Sequence, residues 1–327
     1  MTVTIALAGD TMLGRGVAAE LERVDPGSLV SERLAEQIRG ADLFVLNLEC
    51  CISDRGTPWP DPDKPFFFRA PPIAVRTLTH LGVSCVTLAN NHALDFGRDA
   101  LRDTIRHLHE AGIATVGAGE DVEEARRPAI LEADGVRLAV FGFTDHPSDY
   151  AAGPALPGVA YADLRDGAPD WLIGALGSVG SDATLVTPHW GPNMVASPTA
   201  RVRRAARQLE ETGVTLVAGH SAHVFHGVEG RILYDLGDFL DDYATDPVLR
   251  NDLGLVFFVT LVDDGSLVVE AVPIELGYCR TDLAEGEDAR WIAGRFDRAC
   301  RAFGATVRRA EGGRLRVAPR AHTTTSG

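Results

Sequence analysis

Five apolar runs in this sequence each lead into residues able to hold a metal ion. Asp10 follows the first run in AGDTMLGR, Glu49 closes LNLE, and Asn91 with His92 opens the polar half of LANNHALDFG. His189 stands in TPHWG, and His220 with His223 stands in AGHSAHVFHG. Singly, each has an ordinary structural use: Asp10 as a turn former, Asn91 as a helix N-cap, His189 as a satisfied core histidine. Jointly they offer two carboxylates, an amide and several imidazoles without a thiolate, a donor set suited to a divalent ion such as Mn, Fe or Zn. If Glu49 bridges, two ions about 3.5–4 Å apart can be held, activating water and gripping a substrate oxygen. His92, beside Asn91, is then placed to act as a general acid.

The elements that must position these residues follow from periodicity. Short aliphatic runs at 3–8, 43–48, 83–89, 183–188 and 214–219 alternate with helical patterns at 28–39, 71–81, 98–111 and 198–212. Gly40, Gly82 and Gly112 follow three of those patterns as stops. Strands alternating with helices imply parallel sheets buried on both faces, with ligand-type residues at strand ends. Hairpins are expected around Asp134-Gly135, Glu229-Gly230 and Asp264-Gly265. This mixture predicts an α/β protein, a four-layer αββα sandwich of two mixed β-sheets. One domain is expected over 1–276 and an extension packed on it over 277–318. The extension carries a helix at 286–303 and a hairpin about Gly312-Gly313, and a disordered tail is expected at 319–327. The Pro-rich stretch 53–65 and the loop-rich stretch 145–171 read as lids or substrate walls.

A formal charge of -15 disfavours nucleic acid and anionic membrane surfaces as partners and suits a cation. Five cysteines without C-x-x-C spacing, no signal peptide and no apolar run of spanning length point to a reduced protein of the cytoplasm. Oligomeric state is not encoded in any of these features.

The motifs GDTMLGR, NLE, FRAP, ANNHALDFG, HWG, GHSAH and YDLGDF occur in this order over roughly residues 3–240. In that order they resemble the CapA family of poly-γ-glutamate capsule-synthesis proteins, which is similar to the calcineurin-like metallophosphoesterases. The resemblance implies a metallophosphoesterase-like fold, one or two divalent metal ions held by Asp10, Glu49, Asn91, His189, His220 and His223, and a catalytic His92. The sequence departs from the pattern at Met12, where the first metallophosphoesterase motif has histidine, which removes one imidazole from a two-metal set. Ser221 and Ala222 replace the usual His-Pro, Asn193 replaces the Glu after HWG, and LGNF becomes LGDF. Asp238 therefore either adds a carboxylate to the site or retunes the substrate pocket.

Among supporting residues, Asp95 either fixes the His92 tautomer as a catalytic partner or caps the helix at 98. Arg15 and Arg69 are suited to gripping an anionic substrate, with a structural ion pair as the alternative. His146 and Trp190 are placed near the substrate side, and His226 behind the ligands, although aromatic residues such as Trp190 and Phe66 to Phe68 commonly serve packing. The acidic run Asp241, Asp242, Asp246 reads as a solvated face. The expected function is a metal-dependent hydrolase acting on a peptide-like, polyglutamate-like or other anionic substrate. The alternatives are a metal-dependent peptide epimerase and a non-catalytic accessory protein of poly-γ-glutamate synthesis.

Overall fold

The computed structural model describes residues 2–319. The aliphatic runs form strands, and alternate side chains on each leave for opposite faces. On the first strand, Val3–Thr11, the residues Val3, Ile5 and Leu7 join Leu138, Val140, Leu185 and Leu216 in a core between two sheets. Ala6 and Ala8 face the other way, toward Leu34, Ile38, Leu78 and Leu101 of the outer helices. The second sheet repeats this arrangement, with Phe141, Phe143 and Val186 packed on Val202, Ala205 and Leu209 of the helix Ala200–Glu211. Helix, sheet, sheet and helix thus stack as the expected αββα sandwich. Each large aliphatic side chain sealed into these cores contributes roughly 1.5–3 kcal/mol.

Among the described residues the first sheet has ten strands, with Val3–Thr11 flanked by Leu43–Leu48 in parallel and Leu253–Leu261 antiparallel. Cys85–Thr87 and Ala114–Val116 continue the parallel side. The second sheet has six strands, with Val136–Thr144, Ala183–His189 and Leu216–Ala218 running parallel. All three expected hairpins form, pairing Ala129–Ala133 with Val136–Thr144, Val228–Glu229 with Ile232–Leu233, and Leu253–Leu261 with Leu267–Gly277. The short helices Arg15–Leu21, Val122–Arg126 and Asp170–Leu176 went unread because none spans the two turns that periodicity needs.

Residues past Gly277 complete the sandwich. The helix Gly286–Arg301 sends Ile292, Phe296 and Cys300 into the inter-sheet core, where the Phe296 ring meets Phe225 and Phe257 at 6.1 and 5.7 Å. The hairpin Ala305–Arg309 with Leu315–Pro319 extends the first sheet. Of the tail expected at 319–327, Pro319 ends the strand Leu315–Pro319, and 320–327 lie outside the described residues. No helix among the described residues is long and apolar enough to cross a membrane.

Candidate metal centre

The strands of both sheets deliver their last residues to one place. The register of Val3–Thr11 against Leu43–Leu48 shifts between Ala8 and Asp10, and Gly9 sits at that irregularity. A Cβ on Gly9 would stand 1.7 Å from the Gly237 carbonyl oxygen, so only glycine lets the two backbones approach and re-aim Asp10. Asn47 then donates to Asp10 Oδ1 at 2.8 Å, and Asn90 donates to the Asn47 side chain at 2.9 Å. From the second sheet, the isolated parallel bridge His189↔His220 sets those two histidines side by side. Arg15, Met194, Ser221 and His223 border the site with φ of 47°, 50°, 109° and 58°, a conformation that non-glycine residues hold only where surrounding structure imposes it.

Around Asp10, His220 Nδ1 lies 3.3 Å from Oδ1 and His223 Nδ1 lies 3.3 Å from Oδ2. His220 is oriented by Thr187, whose hydroxyl sits 2.9 Å from Nε2, leaving Nδ1 toward Asp10. His223 Nδ1 also meets Asp238 Oδ1 at 2.8 Å, and His189 Nε2 stands 3.4 Å from Glu49 Oε1. Two triads have ligand atoms all within 4.8 Å of one another: Asp10, His223 and Asp238, and Asp10, Glu49 and His189. Asp10 is common to both triads.

Electrostatics mark this as a place built for a cation. Both Glu49 oxygens, both His189 nitrogens, Asn91 Oδ1, His220 Nδ1 and Asp238 Oδ2 are buried without a hydrogen-bond partner. Such groups are rarely left orphaned in a native interior, and a divalent cation is the partner that carboxylates, an amide oxygen and neutral imidazoles share. The residues therefore fit the implied metal. Burial, and then Asp10, push the Glu49 carboxyl well above its ordinary range. Burial also pushes Asp10 up, yet the imidazoles of His220 and His223 outweigh it and hold Asp10 low. Burial pulls His189 well down, whereas at His223 the anions Asp238 and Glu49 overcome the same pull and raise it.

Beside this centre, His92 Nδ1 is 2.7 Å from Asp95 Oδ2, which leaves Nε2 as the ring's free nitrogen. Asp95 also takes the Phe68 N–H at 2.6 Å, the Tyr150 hydroxyl at 3.1 Å and the Lys64 ammonium at 3.0 Å. Phe68 stacks on the His92 ring at 4.0 Å. Burial, then the charge of Lys64, hold the His92 imidazole down at about 4, so it is neutral at physiological pH. The two loops read as walls meet behind this pair, Trp59 packing edge-on against Tyr150 at 4.9 Å.

The sequence-derived ligands Asp10, Glu49, Asn91, His189, His220 and His223, together with His92, Asp95 and Asp238, are brought together. His146 stands with its ring 5.0 Å from that of His189. Arg15 lines the adjoining cleft, but Asp242 already grips its guanidinium. Arg69 is corrected: it opens the short strand Arg69–Ala70 and lies over the Phe96 ring at 4.3 Å with its donors on the carbonyls of Arg55 and Gly56. Trp190 is corrected as well, since it is 3% exposed and its indole N–H is spent on the Tyr234 carbonyl at 3.0 Å. His226 turns to the Val195 carbonyl. The acidic run is not a solvated face, because Asp241 is buried and Asp242 binds Arg15 and the Gly16 N–H. The strand Asp238–Leu240 pairs with the end of Val3–Thr11 and draws this segment inward. Sequence reasoning missed Asn47, Asn90, Lys64 and Tyr243. Asn90 had a signal, being the other asparagine of ANNH.

The fold and site together define an αββα protein with a buried carboxylate–histidine centre fitted to a divalent metal. The chain belongs to the bacterial capsule synthesis protein PGA_cap family, which matches residues 4–243. It is 32% identical over 374 residues to a probable polyglutamine synthesis accessory protein of Mycobacterium tuberculosis, covering 98% of this chain and 97% of that one. It is 27% identical to the capsule biosynthesis protein CapA of Bacillus anthracis, over 84% of this chain and 67% of that one. Among solved structures, a hypothetical protein of Thermus thermophilus aligns with a TM-score of 0.49 at 16% identity, covering 84% of this chain and 99% of that one. The NAD nucleotidase of Haemophilus influenzae aligns at 0.46 and 11%, covering 88% and 52%.

Proposed function

We propose that this protein is a metal-dependent enzyme of hydrolase type acting on a peptide-like substrate, working in the making or tailoring of a glutamyl polymer or a related peptide. The observation that carries this reading is the set of buried, unpartnered donor atoms on Glu49, Asn91, His189, His220 and Asp238 beside a neutral imidazole. A divalent cation there supplies polarisation of a substrate oxygen and a lowered pKa for a nearby water. Asp95 holds the His92 ring with Nδ1 engaged, so Nε2 is the nitrogen that takes a proton from the nucleophile or returns one to the leaving group. Lys64 and Tyr150 in turn fix Asp95. The names of the relatives, which refer to capsule biosynthesis and to polyglutamine synthesis, support a substrate with repeated amide bonds. Purified protein loaded with Mn, Fe or Zn is to be assayed on amide, γ-glutamyl and phosphoester panels with elemental analysis in parallel. Metal-dependent cleavage of an amide or γ-glutamyl bond is expected, and no turnover of any panel overturns the reading.

One observation favours isomerisation as a second reading: His92 lines the cleft with Nε2 free, so it can exchange the α proton of a bound peptide. Deuterium uptake at a single α carbon in heavy water, without cleavage, would establish it.

A further inference from the structure

The cleft that opens beside the metal centre has the wrong walls for a polyanion. It encloses about 470 Å³, with His92 and His223 toward the centre. Phe66, Phe68 and Met194 form its sides, and Phe66 and Met194 are left 54% and 37% exposed. Large apolar side chains exposed at the mouth of a cleft mark a binding surface more often than a solvated one.

The one guanidinium in this lining, that of Arg15, is already used. Its Nε lies 3.1 and 3.2 Å from the two Asp242 oxygens, and Nη2 bonds the same carboxylate. Its flat face is covered by the rings of Phe68, Phe66 and Tyr243, at 5.0, 5.2 and 5.6 Å from the guanidinium carbon. A substrate carboxylate placed here would have to displace Asp242 from Arg15. Between Phe66 and Met194 such a carboxylate meets no free guanidinium, whereas an apolar group gains contact area there. Arg15 instead serves as one more flat wall, as a guanidinium stacked on aromatic rings does. Tyr243 lines the cleft but keeps its hydroxyl buried without a hydrogen-bond partner, under the influence of Glu49 and Asp238 of the centre.

We infer that this cleft selects a large apolar side chain, aromatic or long aliphatic, on the residue next to the reacting centre of a peptide, and discriminates against glutamyl residues there. The inference rests on the reading of the centre as acting on peptide-like substrates and narrows its substrate class. An apolar side chain fills the space between Phe66 and Met194, while the backbone of the same residue lies toward His92.

The test is calorimetric binding of four acetylated, amidated tripeptides, Ala-X-Ala with X as Phe, Leu, Ala or Glu, to the Zn-loaded full chain. Phe and Leu peptides should bind at least about tenfold more tightly than the Ala peptide, the contrast expected from burying one apolar side chain. The Glu peptide should bind weakest. Phe66→Ala and, as a milder change, Met194→Gln should each narrow the Phe-over-Ala preference at least about threefold while zinc content stays at the wild-type value. A Glu peptide binding as tightly as the Phe peptide, no binding of any peptide, or a preference untouched in both variants would overturn the inference. A protein that selects Phe yet takes up no metal or turns over nothing defeats the catalytic reading and leaves the cleft's selectivity standing. Turnover of γ-glutamyl substrates with no apolar preference does the reverse.

Discussion

Asp95 and Glu49 are both fully buried carboxylates, yet their surroundings are opposite. Asp95 receives an imidazole, a backbone N–H, a phenol and an ammonium, so its charge is met from within the protein. Glu49 receives no hydrogen bond on either oxygen and faces a second carboxylate, Asp10. The difference separates a carboxylate that holds its neighbours in place from one that waits for a cation brought from outside. The largest expected effect tests the second half of that contrast. Glu49→Gln should lower metal-dependent turnover by at least about 100-fold, the upper range seen for outer partners of metal sites. It should also abolish the stabilisation that saturating metal gives the wild type, about 2.7 kcal/mol at 100 times Kd. In chelator at neutral pH the same variant should be more stable than the wild type, because burial beside Asp10 makes the wild-type carboxyl take up a proton on folding that an amide does not need. Urea unfolding with and without metal measures both terms, and a variant equally stabilised by metal would remove Glu49 from the centre.

The next effect tests the first half. Asp95→Ala leaves Lys64, whose side chain is 11% exposed, without its counter-charge and frees three hydrogen-bond donors. A loss of about 3–5 kcal/mol is expected, as for other broken buried pairs. The loss should be the same in chelator and in metal. A penalty that vanishes on metal addition would make Asp95 part of the centre instead of a group that positions His92.

The sandwich was legible in the sequence, and so was the set of candidate ligands that the fold gathers, because both are carried by local patterns: apolar runs, hairpin turns, and a ligand-type residue just past each run. What was not legible depends on contacts distant in the chain. Lys64 drew no role as an isolated lysine, and only the fold brings it to Asp95. The acidic run looked solvated because charge runs usually are, whereas strand pairing at Asp238–Leu240 pulls Asp241 inside and sets Asp242 against Arg15. Arg69 was misplaced because its guanidinium is taken by partners outside the FRAP motif, the Phe96 ring and the carbonyls of Arg55 and Gly56.

A buried histidine away from the centre gives a third point on the comparison. His226 bonds the Val195 carbonyl, and burial holds its imidazole at about 4 against an ordinary 6.5. Between those values the unfolded chain binds a proton that the folded chain does not. Stability from this group is therefore complete above pH 6.5 and is lost as pH falls toward 4, at up to about 1.4 kcal/mol per pH unit. Equilibrium unfolding from pH 4 to 7 at saturating metal should show His226→Gln shallower than wild type by one proton's slope. An unchanged slope would mean that His226 titrates alike in both states.

The smallest expected effect concerns Trp190, which adjoins the candidate ligand His189 in sequence but belongs to the core. Its ring packs edge-on against Phe143 at 6.2 Å, and its one polar atom is committed to the Tyr234 carbonyl. Trp190→Phe keeps an aromatic ring there and removes that bond, so stability should fall by about 1 kcal/mol, the usual net value of a hydrogen bond. Metal content and KM should not move, because nothing in the ring reaches the cleft or the ligand atoms. A KM change larger than the change in kcat would place Trp190 against substrate and return it to the role its position after His189 first suggested. Arg69→Ala is the matching control on the short strand Arg69–Ala70: it loses a stacked guanidinium over Phe96 and two carbonyl contacts at the surface, and it too should leave KM where it was.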